Sequence, residues 1–419
     1  SHAKNVKAFE MTPEARTQLT AIGVDPDFVL PPKGGAAILA SLTAQARRQR
    51  LGRLVPDSEL YKRQSSEQPR YLPTAARADF LKYGESVVDS SLGWTGRIFS
   101  ATDKKRLAAD PTQFTELIFT AIGRLLMRSA YSQDIPTMTP EDLVQKGLVD
   151  PREIFVKGEP HPARKAKAEM WRLIWVSSML DSAITWVLSH RRHREQIDMS
   201  QRNIEKTIVV GHGFHDEGIE SLGRKIEDLG PDVWSCDASG WDMSVRESAS
   251  VLFGDLRVQG IDKDARDWNA RATAVSLDNF CGSRHCLIAG SNLLQATVYG
   301  MTASGTVDTT DRNNEIRKAG MRLATSCATP IINAGDDVLV GGEPNVAKLS
   351  EQGTITRDLA KAGPGEPRLF NSHSFQKREG KWGAAWQGVD KSIARLVLAQ
   401  DAAKDHPPPS VEQLGGVYF

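Results

Sequence analysis

Apolar residues recur at helical spacing along residues 114–130, and the period predicts an amphipathic helix there. Residues 179–193 predict a second helix, ending in the basic run His190-Arg191-Arg192-His193-Arg194. The N-terminal part is less regular. It carries Pro31-Pro32, Gly34-Gly35 and a basic cluster of Arg47, Arg48, Arg50 and Arg53, and predicts an irregular extension with one short helix over residues 35–50. The middle of the chain changes period. Val233-Trp234-Ser235-Cys236 reads as a short strand ending at Asp237, and residues 305–318 as a helix closed by Gly320. Ile331-Ile332-Asn333 and Val338-Leu339-Val340 read as two strands joined by Ala334-Gly335-Asp336-Asp337, a hairpin with acids at its tip. Strand, helix, hairpin in that order predicts an α+β sheet domain. Pro407-Pro408-Pro409 predicts an extended tail, and no internal repeat is present.

Composition adds bounds rather than identity. A chain of 419 residues buries a large core and suggests two or three domain-sized units, and 40% hydrophobic with 25% charged residues is ordinary for a globular protein. The net charge of +1 predicts no nucleic-acid partner by itself, so the distribution of charge decides. Cys236, Cys281, Cys286 and Cys327 form no paired framework, which fits a reduced, intracellular setting. Cys281, His285 and Cys286 lack a second ligand pair at metal-finger spacing, which argues against zinc. The expectation is no membrane span, since no apolar run is long enough, and no signal-peptide core stands at the N-terminus.

The candidate chemistry is acidic. Phosphoryl transfer to a 3′-hydroxyl uses two divalent ions about 3.5–4 Å apart, and hard oxygen ligands suit them. Asp237 ends one expected strand, and Asp336 and Asp337 lie at the hairpin tip. If strand and hairpin lie side by side, the three carboxylates converge. Aspartates are also common at turns, so Gly335-Asp336-Asp337 alone decides little. It has company, however. Asp237-Ala238-Ser239-Gly240-Trp241-Asp242 precedes it, then Ser304-Gly305, three residues, Thr309, three residues, Asn313.

In this order the segments resemble palm motifs A, B and C of the RNA-dependent RNA polymerases of positive-strand RNA viruses. The resemblance implies that Asp237 and Asp336 hold two Mg²⁺ or Mn²⁺ ions, with Asp337 supporting them. It implies that Asp242 and Asn313 hydrogen-bond the 2′-hydroxyl of the incoming nucleotide, with Thr309 on the Asn313 face of one helix. Ser304-Gly305 becomes the turn that adapts to the template base.

Upstream, residues 157–174 are dense in cations, suited to a triphosphate and an RNA backbone, although an isolated basic run is more often a solvated loop. This strip resembles motif F of the same polymerases, which makes Lys157, Arg164 and Arg172 the triphosphate contacts and assigns Lys165 and Lys167 to RNA. The Lys157-x-Glu159-Pro160-His161 start, Arg172-Leu173-Ile174, Val176-Ser177-Ser178 and Phe370-Asn371-Ser372-His373-Ser374-Phe375 are similar to the sobemovirus and polerovirus group with its barnavirus and alvernavirus relatives, where a cysteine is usual at position 371. In that group the last segment grips the primer strand, which puts Ser372 and His373 on RNA. The resemblance also implies a lysine after Gly335-Asp336-Asp337 that protonates pyrophosphate; Lys361 is the nearest candidate, with Lys377 and Lys381 further off.

The implied fold is α+β, a right hand of fingers, palm (antiparallel sheet, RRM-like core) and small thumb. The expected divisions are residues 1–75 for an N-terminal extension and fingertips, 76–178 for fingers, 179–260 for palm with motif A, 261–300 for a fingers insertion, 301–375 for palm with motifs B to E, and 376–419 for thumb and tail. Implied partners are RNA template and nascent strand, nucleoside triphosphates and a genome-linked protein, in the host cytoplasm at membrane-associated replication complexes. The tail ending in Gly416-Val417-Tyr418-Phe419 is the expected aromatic platform for an initiating nucleotide. A reverse transcriptase or DNA polymerase has no use for the 2′-hydroxyl readers Asp242 and Asn313. A metal nuclease needs neither the Ser-Gly/Thr/Asn helix nor the basic strip, and a non-catalytic RNA-binding protein needs no metal ligands.

Overall fold

The computed structural model describes residues 28–29, 34–48, 73–88, 90–159, 161–261, 268–326 and 328–388, with positions 17 and 32. Arg50, Arg53, Cys327, the triple-proline segment and residues 416–419 lie outside the described residues. A short strand β1 (Phe28–Val29) precedes helix α1 (Gly35–Arg48) and helix α2 (Pro73–Ser86). After α3 (Lys104–Ala109) comes α4 (Pro111–Ala130), which begins at Pro111 rather than Phe114. The reason is its cap. Asp110 accepts hydrogen bonds from the backbone of Thr112 and Gln113, and Pro111 occupies the first turn. Its buried face, Phe114, Leu117, Ile118, Ala121 and Leu125, packs with α2 and α7 (Met179–Gln201) in one core.

Between them lie α5 (Pro140–Gln145), β2 (Arg152–Val156), β3 (His161–Pro162), α6 (Ala163–Lys167) and β4 (Leu173–Val176). Helix α7 runs on to Gln201, past the expected end at His193. The basic run does not end it, because the charges are met. Arg192 pairs with Glu315 at 2.7 Å and His193 with Asp311 at 2.7 Å, both acids lying on a later helix.

Next come α8 (Asp216–Glu227), β5 (Val233–Ala238), α9 (Trp241–Ser244), α10 (Glu247–Gln259), α11 (Trp268–Gly282) and the hairpin β6 (Cys286–Ala289) and β7 (Asn292–Gln295). Helix α12 (Thr309–Ala324) differs from the expected 305–318 at both ends. Gly305 belongs to the preceding turn, and Gly320 lies inside the helix. Met321 and Ala324 carry α12 onward, since both are buried against Cys236, Ile331, Val338 and Val340. The hairpin is β8 (Ile331–Ala334) and β9 (Asp337–Val340), followed by α13 (Val346–Glu351), β10 (Thr356–Ala362), β11 (Arg368–Phe370), β12 (His373–Arg378) and β13 (Lys381–Trp386).

Two four-stranded sheets organise these elements: an antiparallel one in the order β10-β5-β9-β8, and one in the order β4-β2-β6-β7 with β2 and β6 parallel. A three-stranded sheet β11-β12-β13 packs Phe370, Phe375 and Trp382 toward Leu222 and Ile226 of α8. The expected division between residues 375 and 376 therefore falls inside β12. The chain is α+β, as the pattern predicts. Among the described residues no helix is long and apolar enough to cross a membrane. Cys236, Cys281 and Cys286 are free and buried.

Two features tie distant parts together. Helix α1 lies against the β6–β7 turn so closely that a Cβ at Gly35 would sit 3.0 Å from the Ala289 carbonyl oxygen. From α1, Ser41 Oγ and Gln45 Nε2 donate to the Trp171 carbonyl at 2.7 and 2.9 Å. The second feature is a buried charge network. Arg124 reaches Asp150 at 2.7 Å and Asp181 at 2.9 Å, and Arg128 reaches Asp181 at 2.9 Å and Asp278 at 3.1 Å. Burial alone would raise the Asp181 carboxyl, but Arg124 and Arg128 outweigh it and hold it below its ordinary value.

Candidate active site

Strand β5 pairs with β9 through Trp234 opposite Val340 and Ser235 opposite Leu339. Counting on in the same register brings Asp237 opposite Asp337, which itself pairs with Ala334 to close the hairpin around Gly335 and Asp336. Helix α12 fixes both carriers from below. Arg317, fully buried, donates Nη2 to the Cys236 carbonyl at 2.7 Å and Nε to the Asp336 carbonyl at 3.1 Å. One turn earlier, Asn314 Oδ1 accepts from the Gly335 amide at 2.6 Å, and its carbonyl accepts from Asn333 Nδ2 at 2.9 Å. A planar fork of donors suits this bridging task.

The acids feel one another. Burial, then the charge of Asp336, pushes the Asp337 carboxyl up to about 6. Burial does the same to Asp242, also to about 6; a Ser304 hydrogen bond and the charge of Arg172 pull it down, and Asp336 pushes it up. Asp242, Asp336 and Arg172 therefore share one electrostatic field, with Asp336 exposed at the hairpin tip. Among the described residues no three His, Cys, Asp or Glu side chains stand close enough to close round one ion. Asp237 instead holds the guanidinium of Arg357. The donor set is hard carboxylate oxygen whose mutual repulsion a cation relieves, so its chemistry fits Mg²⁺ or Mn²⁺.

The neighbouring polar groups are spent on local geometry. Ser304 Oγ donates to Asp242 Oδ2, and the Asp242 carbonyl accepts from Thr302 at 2.9 Å. Asn313 is buried and accepts from Trp241 Nε1 at 2.8 Å, so Trp241 rather than Asp242 is its companion. Thr309 Oγ1 donates to the Ala303 carbonyl at 2.8 Å and closes the turn that precedes α12. Gly305 in that turn has φ +110, and a Cβ there would lie 2.7 Å from the Trp175 carbonyl oxygen. Only glycine meets both demands. The Ser304 carbonyl in turn accepts from Trp175 N at 3.0 Å, joining the turn to β4.

In the basic strip, Lys157 and Arg172 flank buried Glu159 at 3.1 and 3.7 Å. His161, also buried, is set by the Glu159 carbonyl at 2.7 Å and by the Arg172 amide at 3.1 Å. Arg164 and Lys167 are exposed on α6, with Lys165 between them. Three sequence-predicted residues, Lys361, Ser372 and His373, lie apart from the acids or on a separate edge. Lys361 sits opposite Trp234, at the other end of β5 from Asp237, and pairs with Asp232 at 3.3 Å. Asn371 and Ser372, with φ of 51 and 59, form the tight turn of the β11–β12 hairpin, and His373 stacks on Phe214 with ring centroids 3.8 Å apart.

No family model matches the chain. It is 27% identical over 217 residues to the RNA-directed RNA polymerase of mushroom bacilliform virus, covering 49% of each. It is 29% identical over 242 residues to replicase polyprotein P2AB of southern cowpea mosaic virus, covering 58% of this chain and 24% of that one. It is 30% identical over 276 residues to protein P1-P2 of potato leafroll virus, covering 62% and 24%. The chain is similar to these viral proteins, of which the first is named a polymerase and the second a replicase polyprotein. It spans about half the length of the first of them and about a quarter of the other two.

Beside the acids stand residues to which the motifs assign no role. Arg317 follows Asn313 by one helical turn, and that spacing is its signal in the sequence. Glu159 and His161 lie inside the basic strip as its scaffold. Arg357 has no such signal, because its position depends on an irregularity in strand pairing.

Proposed function

We propose that the chain is a template-directed RNA polymerase that joins an RNA 3′-hydroxyl to the α-phosphate of a ribonucleoside triphosphate and releases pyrophosphate. The observation that carries this reading is Arg317, which holds the backbones beside Asp237 and at Asp336 on one guanidinium, while Asp242 feels the charge of Asp336. Similarity to named viral polymerases supports it. In this reading the β10-β5-β9-β8 sheet with α12 is the palm, the β2–β4 region with its basic strip belongs to the fingers, and the three-stranded sheet borders the thumb.

Asp237 and Asp336, with Asp337 in support, would hold two divalent ions. When bound, these supply charge for the transferring phosphate and a lowered pKa for the attacking hydroxyl. Arg172, with Lys157 and Arg164, orients the triphosphate toward the acids. Asp242, released from Ser304, reads the ribose 2′-hydroxyl together with Asn313, and an incoming 2′-deoxy sugar leaves their polar groups unmet.

The test is incorporation of labelled ribonucleotides on a defined RNA template, with and without Mg²⁺ or Mn²⁺, beside Asp336→Ala. Metal-dependent product of template length, absent in the variant, is the expected result. Shortening of the RNA would move the protein to the nucleases, and unchanged RNA with intact binding would remove catalysis from the site.

A further inference from the structure

The pairing of β10 with β5 is broken once. Thr356 lies opposite Ala238 and Asp358 opposite Asp237, so Arg357 is the extra residue of a β-bulge. A bulge re-aims the side chain of the residue it inserts. Here the guanidinium comes onto Asp237 through Nη2, while Nε donates to Asp358 Oδ2 at 2.8 Å. The bulge is fastened on its other side, where Ser239 N donates to the Ile355 carbonyl at 2.8 Å. Two carboxylates directly opposite one another on adjacent strands repel. Arg357 bridges the two, its single charge offsetting half of theirs. Its side chain is 43% exposed against 28% for Asp237, so solvent is open to it when it leaves. The other cation of the strand, Lys361, is engaged at the far end by Asp232.

We infer that Arg357 is a positioning residue that occupies Asp237 in the cation-free protein and gives it up to a divalent ion, so that the bulge sets the cation affinity of the site. This rests on the reading of Asp237 as a cation ligand. The exchange is a competition between two positive partners for one carboxylate. A pair this exposed contributes little, so the ion wins readily but at a measurable handicap.

The test is Mn²⁺ binding to the full chain without RNA or nucleotide, followed by the paramagnetic resonance of the free ion. Arg357→Gln is expected to tighten Mn²⁺ about two- to fivefold, the range a partly exposed ion pair can supply. Arg357→Lys keeps a cation on the bulge and should fall between it and wild type, which also covers the case in which the glutamine variant fails to fold. Asp237→Asn should weaken binding. If Asp237→Asn weakens Mn²⁺ binding but neither Arg357 variant tightens it, the competition is overturned while the polymerase reading stands. If Asp237→Asn leaves binding unchanged, Asp237 is not a ligand and both fall.

Discussion

Asp337, like Asp242, is a carboxyl whose proton the fold holds. Its carboxyl stands at about 6 because burial and adjacent Asp336 both disfavour its charge. An unfolded aspartate titrates near 3.9. The folded state therefore holds this proton more tightly, and the stability it contributes is complete below about pH 4 and lost as pH rises through about 6. Asp337→Asn, unfolded by urea in cation-free buffer, should match wild type near pH 4. By pH 7 it should exceed wild type by about 1–2 kcal/mol, a figure discounted for partial exposure. A difference that does not change with pH would refute this origin. At Gly305 the constraint is steric. Gly305→Ala places a methyl against the Trp175 carbonyl in a backbone region closed to alanine, and should cost about 2–4 kcal/mol in the same measurement. A cost under about 0.5 kcal/mol would mean the turn can shift freely.

Helix α12 collects the site, since successive turns present Thr309, Asn313 and Arg317 to three different tasks. Arg317→Lys keeps the charge but loses the fork that spans two carbonyls. It should lower nucleotide incorporation by about 100-fold, the scale on which small misplacements act, while the Mn²⁺ midpoint shifts far less. Unchanged incorporation would show that the hairpin holds itself. Much of this element is legible in the sequence, because the Ser-Gly/Thr/Asn spacing is helical and the acids sit at strand ends. What is not legible follows from long-range contacts. The ends of α12 depend on Gly305 meeting β4 and on Met321 meeting the sheet, and the length of α7 depends on acids that α12 supplies. The β10 bulge leaves no mark in residue types, so nothing in the sequence points to Arg357 beside Asp237.

Across the whole molecule, the helical core and the second sheet meet at the Arg124, Arg128, Asp150, Asp181 and Asp278 network. Buried pairs add little over apolar packing but are severe to break, because the surviving charge has no water. Asp181→Asn leaves two arginines short of one charge and should cost about 3–5 kcal/mol by chemical denaturation. A loss below about 1 kcal/mol would mean that water reaches the network. The fold class is legible from the alternation of periods, since strands and helices interleave throughout. The network is not, because arginines and aspartates on separate helices look like solvated surface until the helices are packed.

The clasp of α1 over the β6–β7 turn and onto Trp171 also dictates a schedule. A ribosome makes the clasp before its seat, so Ser41 waits for Trp171 and Gly35 waits for Gly290 before either can close. Until the tunnel has released both, the basic strip lacks its brace. A chain halted before the β6–β7 turn therefore carries the strip without the seat of its brace.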